Sequence, residues 1–129
     1  MSDMQTVEQL FATYAWSMDG KEFELFDEVF SEDSTFVVSI AGEVAASFEG
    51  RAATVDFIRT TTIEQTDQRR HVITNVRLAG SKATATLTLL VVDNGELILK
   101  SCGVYTVDLV QENGAWRFGA MDLALDLGF

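Results

Sequence analysis

The chain has 129 residues, 47% of them apolar, which fits one domain with enough hydrophobic surface to bury a core. Its formal net charge of −11, from 20 acidic and 9 basic residues, argues against nucleic acid or an anionic membrane as a partner, because phosphate binding needs clustered Lys and Arg. A single cysteine, Cys102, excludes an internal disulfide and a multi-cysteine zinc site.

The start, MSDMQTVEQL, has neither the basic segment nor the apolar run of a signal peptide. No stretch reaches the ~20 apolar residues that span a bilayer. The expectation is one cytoplasmic domain over residues 1–129. Val7, Leu10, Phe11, Tyr14, Ala15 and Met18 recur at three- and four-residue spacing and predict a first helix. Thr6 and Gln9 form a capping-box pattern at its start, and Gly20 is a natural stop. A second short helix places Phe23, Phe26, Val29 and Phe30 on one side. SEDS (31–34) breaks that pattern. STFVVSI then reads as a strand, with EVAASF pairing back across an Ala41–Gly42 turn. After Gly50, a third helix runs from Arg51 to Thr61.

From His71 onward the period is that of strands. VITNVRL, ATATLTLLVV, LILKSCGVYTVDLV and AWRFGAMDLAL are separated by AGSK, DNGE and QENG, which carry hairpin residues. Helices followed by a long antiparallel meander predict an α+β layer fold, with the helices covering one face of a curved sheet. Such a cone has an apolar interior suited to a small molecule. Apolar residues on both parities of LTLLVV and LILKSCGVYTV predict that the outer face is also covered, by a homodimer or higher homo-oligomer.

Four segments together resemble the SnoaL-like branch of the NTF2-like superfamily. They are YAWSMDGKEFELFDEVFSEDSTF, EGRAATVDFI, RRHVITNVRL and ENGAWRF, in the family's order. The resemblance implies the cone-shaped α+β fold and a pocket for a hydrophobic cyclic molecule. The superfamily includes scytalone and bile-acid dehydratases, ketosteroid isomerase, polyketide cyclases and limonene epoxide hydrolase, none implying a cofactor or metal here. It also includes binding proteins and non-catalytic dioxygenase subunits, so the site residues must decide.

His71 is the only histidine. In the dehydratase members an Asp at the position of Asp19 orients a His at the position of His71. That arrangement would fix the imidazole tautomer and stabilise the imidazolium. The same residues also read as a turn cap before Gly20 and a strand-edge histidine in water. Tyr14 matches a tyrosine that polarises a carbonyl in relatives, and it reads equally as a core aromatic. Trp16, Phe36, Phe57 and Met121 are candidate cavity residues. Asn75 joins them if no bulge separates it from His71. Cys102 reads as a small buried residue. Val38 stands where ketosteroid isomerase carries its Asp base. TATLTLLVV lacks the Arg and Asp of the epoxide hydrolase, no second histidine stands where scytalone dehydratase has one, and Gly119 replaces a dehydrochlorinase Arg. The implied activity is a lyase or isomerase working by acid–base chemistry. The alternative is a non-catalytic binding or accessory subunit.

Overall fold

The computed structural model describes residues 1–128. The first helix, α1 (Asp3–Asp19), starts one turn earlier than expected. Ser2 is the cap: its hydroxyl accepts from the Gln5 N–H at 3.2 Å, and the Gln5 side chain accepts from the Ser2 N–H at 2.9 Å. The reciprocal box therefore sits on Ser2 and Gln5, not on Thr6 and Gln9. Thr6 turns its hydroxyl back to the Ser2 carbonyl instead. Val7, Leu10, Phe11 and Tyr14 form the buried stripe. Residues Phe23–Glu28 make a 3-10 helix, and α2 spans Arg51–Thr62.

Six strands follow the order β2-β1-β6-β5-β4-β3. They are β1 (Phe30–Ile40), β2 (Glu43–Glu49), β3 (Gln68–Ala79), β4 (Lys82–Asp93), β5 (Glu96–Glu112) and β6 (Ala115–Leu125). Strands β3 to β6 form the expected antiparallel meander. The tight turns at Asn94–Gly95 and Asn113–Gly114 place both residues at positive φ, the geometry that matches strand twist. The β1–β6 pairing is parallel and joins the first strand to the last.

That non-local pairing explains a correction. SEDS does not end an element but lies within β1. Ser34 is buried, and the Glu32 N–H donates to the Glu112 carboxylate at 2.8 Å. Tertiary contacts override the local turn preference, which survives as a register shift between Phe30 and Thr35. Further shifts occur in β3, β4 and β5, where bulges bend an antiparallel sheet.

The concave face carries Ala83, Ala85, Leu87 and Leu89 of β4 and Tyr105, Val107 and Leu109 of β5, all buried. Phe11 of α1 stacks at a tilt against Phe118 of β6, with ring centroids 4.9 Å apart. Each Leu, Val or Phe among them contributes about 1.5–3 kcal/mol of burial. The helices cover this face, α1 over β3 and α2 over β1 and β2. Alternation sends Cys102 to the convex face, so it is exposed rather than buried, and its thiol donates to Asp126 at 3.4 Å. That hydrogen bond is the main cause of a raised thiol pKa. No helix is long and apolar enough to cross a membrane.

Candidate active site

Asp19 is the last residue of α1, and His71 lies near the start of β3. Because α1 crosses β3, the helix end meets the strand start. The Asp19 carboxylate accepts the His71 backbone N–H at 3.1 and 2.9 Å through its two oxygens. One of those oxygens also lies 2.6 Å from His71 Nδ1. The carboxylate thus holds the strand's backbone and its imidazole together. An ionised carboxylate only accepts, so this contact favours the tautomer with its proton on Nδ1, which leaves Nε2 as the acceptor of a neutral ring. Both side chains are at most 9% exposed, which strengthens this contact over a surface pair.

Tyr14 stands beside this pair. Its ring centroid is 6.3 Å from that of His71, with the planes nearly perpendicular. The Tyr105 hydroxyl donates to the Tyr14 oxygen at 3.3 Å. These are the chain's only two tyrosines. Burial pushes the Tyr14 phenol up to about 12, against a lowering by the Tyr105 hydrogen bond and with a further raise from Asp19. Tyr105 is pushed well above the usual phenol range by burial, then by Tyr14 and Asp19. Both are therefore neutral at neutral pH. With its oxygen accepting from Tyr105, Tyr14 has its own proton available to donate.

His71 and Tyr14 border a partly open cavity of about 300 Å³. That is the low end of the range for small-molecule sites, roughly 300–1,000 Å³. Its walls are mainly apolar. Phe36 and Val38 of β1, Phe57 of α2 and Leu87 and Leu89 of β4 are among them. Polar groups gather at one end, where Thr61, Thr62, Gln65 and Arg69 join His71.

Of the residues singled out from sequence, the fold brings Asp19, His71, Tyr14, Phe36 and Phe57 together. Three others are elsewhere. Trp16 is 69% exposed, because residues two apart on a helix point ~200° apart and Tyr14 takes the inner face. Asn75 sits at positive φ in the β3 bulge between Thr74 and Arg77, which turns it outward. Trp16 and Asn75 both line a wider, more open groove between α1 and β3, which His71 also borders from its other side. Met121 points inward but is packed in the core, not on the cavity wall. Sequence reasoning missed Tyr105, Gln65 and Arg69. Tyr105 was findable, since it shares inward parity with Val107 and Leu109. Among the described residues, no three of His, Cys, Asp and Glu cluster as a metal would require.

A family model described as a SnoaL-like domain matches residues 1–122. No curated protein matches the chain. Among solved structures it is similar to ActVI-ORFA from Streptomyces coelicolor, with a TM-score of 0.79 at 18% identity, covering 95% of this chain and 96% of that one. It is similar to a single-substitution form of Rv3472, a Mycobacterium tuberculosis protein of unknown function. That match has a TM-score of 0.77 at 20% identity and covers 96% of this chain and 72% of the other. It is also similar to a Novosphingobium aromaticivorans protein assigned to the beta subunit of an aromatic-ring-hydroxylating dioxygenase. There the TM-score is 0.76 at 17% identity, covering 98% of this chain and 90% of that one. At these identities the likenesses carry the fold alone.

Proposed function

This chain belongs to the SnoaL-like family, and on that premise we propose that it is a lyase, of dehydratase type, or an isomerase acting on a hydrophobic cyclic molecule of steroid or polyketide-like class. The observation that carries the reading is the 2.6 Å contact between Asp19 and His71 Nδ1 at the wall of a mainly apolar cavity. His71 Nε2 takes a proton from a carbon next to a carbonyl. Asp19 holds the ring in that tautomer and stabilises the imidazolium. Tyr14 donates its hydrogen to the carbonyl oxygen as enolate charge develops, and its high pKa keeps that hydrogen in place. Expulsion of a β-hydroxyl gives a dehydratase; return of the proton to another carbon gives an isomerase. Such acid–base terms supply typically ~10²–10⁴ in rate, so the substrate carbon acid must already be activated by its carbonyl. Val38, at the position that the resemblance matches to the Asp base of ketosteroid isomerase, lines the cavity and carries no base, which supports His71 in that role.

The test is a screen of cyclic enones and β-hydroxy ketones for an absorbance change, followed by the His71→Ala protein. Turnover by that variant within a few-fold of the parent would remove His71 from the mechanism.

The sheet's convex face supports a homodimer. Val72, Val104 and Val110 are 38%, 43% and 38% exposed there, on long strands of the sheet. An apolar surface of this kind is ordinarily covered by a partner. Light scattering at micromolar concentration checks it: a stable monomer removes the dimer. A second reading, a non-catalytic accessory subunit, draws on the likeness to the dioxygenase beta-subunit structure. It predicts the same assembly but no turnover by any compound in the screen.

A further inference from the structure

The convex face of the sheet carries a charge pattern of its own. Strand register sets Arg77 of β3, Thr84 of β4, Thr106 of β5 and Asp122 of β6 side by side in one row across it. Arg77 and Asp122 are exposed, and neither side chain has an ion pair or hydrogen bond among the described residues. Three strand spacings separate them, about 14 Å between Cα atoms, too far to pair within one chain. Lys82 and Asp108, by contrast, meet at 3.2 Å and neutralise each other. Arg70 on β3 and Asp126 just beyond β6 are exposed as well. The β3 edge is therefore positive and the β6 side negative.

The same face continues onto the β4–β5 hairpin. Leu89 pairs with Ser101 but Leu90 with Leu99, so Lys100 is an extra residue that reverses the parity of β5 beyond it. The reversal brings Leu97 and Leu99 to the convex side, opposite Val92 and Leu90. Leu97, Leu99 and Val92 are 70%, 66% and 44% exposed. The ladder between β5 and β6 begins at Gly103, so this end of the hairpin has no β6 neighbour. A contiguous apolar patch of this kind marks a contact surface.

We propose that the occupant of this face is a second copy of the chain, placed by a two-fold axis that runs along the strands between β4 and β5. This rests on the homodimer reading and adds its geometry. Such an axis lays β3 of each copy over β6 of the other. Arg77 then faces Asp122 of the second copy, twice by symmetry. Packed sheets lie about 10 Å apart, a gap that an Arg and an Asp side chain span together. The threonines between them are small enough to let the sheets approach. The hairpins lie on the axis, so Leu97 and Leu99 of the two copies cover one another. A two-fold running across the strands would instead lay β3 on β3 and β6 on β6, setting like charge against like. Two copies of net charge −11 repel at long range, so their interface needs this local match.

The experiment is sedimentation equilibrium on the full chain, with circular dichroism melts to show that each variant is folded. The parent is a dimer whose dissociation constant rises with added salt. Arg77→Asp sets two acidic groups against each other at both ends of the row, and Asp122→Arg does the same with two basic groups. Each weakens the dimer at least ~10-fold. An equimolar mixture of these two variants restores both pairs in a heterodimer, within ~3-fold of the parent's affinity. The double substitution Leu97→Ser with Leu99→Ser removes exposed side chains only, leaves the melt of the monomer alone, and also weakens the dimer at least ~10-fold. It holds the test should a charge variant fold poorly. Charge variants that dimerise as tightly as the parent overturn the proposal. So does a mixture no tighter than either variant by itself, or an arm variant with the parent's affinity. In those cases the homodimer reading stands and only this register falls. A parent that is monomeric at about 100 µM overturns both.

Discussion

The two ends of the cavity are built on different principles. The polar end depends on a few directed contacts: Asp19 on His71, Tyr105 on Tyr14 and Asp67 on Arg69. Each joins elements far apart in sequence or fixes a side chain on one strand. The apolar end depends on area, with Leu87 and Phe36 nearly fully buried and no polar partner to satisfy. Directed contacts set chemistry and contribute little net stability, because each replaces contacts with water. Buried area sets stability and leaves protonation states alone. Mutations at the two ends should therefore separate activity from folding.

The largest separation is expected at His71. His71→Ala should lower turnover by ~10³-fold or more, since the chain has no other imidazole to act as base. Its denaturation midpoint should stay close to the parent's. Asp19→Asn should also lower turnover, by about 10²–10⁴-fold, because an amide offers no negative charge to the imidazolium and can favour the wrong tautomer. Kinetics and melts measured on the same preparations check both. A melt that collapses with His71→Ala would make the polar end structural and break the comparison.

Leu87→Ala tests the other end. Leu87 is 1% exposed on the cavity wall, opposite Ile73 on β3 and Gly103 on β5. Its loss should cost about 2–4 kcal/mol in urea unfolding, through lost burial and an enlarged cavity. Turnover under conditions where the variant is folded should fall far less than in His71→Ala. A comparable loss of turnover would mean the apolar wall also positions the reacting groups.

Alkaline titration addresses the boundary between the two ends. Tyr14 is pushed up to about 12 and Tyr105 well above the usual phenol range, so native protein should show little phenolate absorbance at 295 nm near pH ~10.5. Unfolded chain should be more than half ionised there. Between the unfolded phenol pKa near 10 and the folded value, the native state binds more protons than the unfolded state, so stability falls as pH rises through that window. For Tyr14 the loss reaches about 2 kcal/mol at pH ~12. Phenolate absorbance rising around pH 10 with the fold intact would place at least one ring in contact with water.

Much of this organisation was legible from local pattern. The helix stripe of Val7, Leu10, Phe11 and Tyr14 and the hairpin signals DNGE and QENG are short-range features, and the structure follows them. Family position paired Asp19 with His71, which composition alone left open. What was not legible depends on long-range pairing. The parallel β1–β6 contact absorbs SEDS into a strand, and the bulge at Asn75 reverses the parity counted from His71. Arg69 shares the inward parity of His71, but its place on the cavity wall depends on where the end of α2 comes to lie. The exposure of Trp16 was legible after all, since its spacing from Tyr14 places it on the opposite side of the helix.

The smallest effect is expected from Tyr105→Phe, and it cuts across the comparison. Tyr105 is a core side chain by burial, fully covered and with its ring 5.9 Å from Phe11 and 5.5 Å from Tyr14. Phenylalanine preserves that packing, so stability should change by only about 1 kcal/mol. What is lost is the hydrogen bond donated to the Tyr14 oxygen. That donation lowers the Tyr14 pKa against the raise from burial, so removing it should move Tyr14 further up. A weaker acid is a weaker donor to a developing oxyanion, and turnover should fall by roughly 5–10-fold. The variant retains one tyrosine, so its 295 nm titration reports Tyr14 alone. A midpoint at higher pH, with the melt nearly unchanged, gives Tyr105 a role in tuning Tyr14 from behind the cavity wall. A midpoint that stays put or falls would return Tyr105 to the core as packing only.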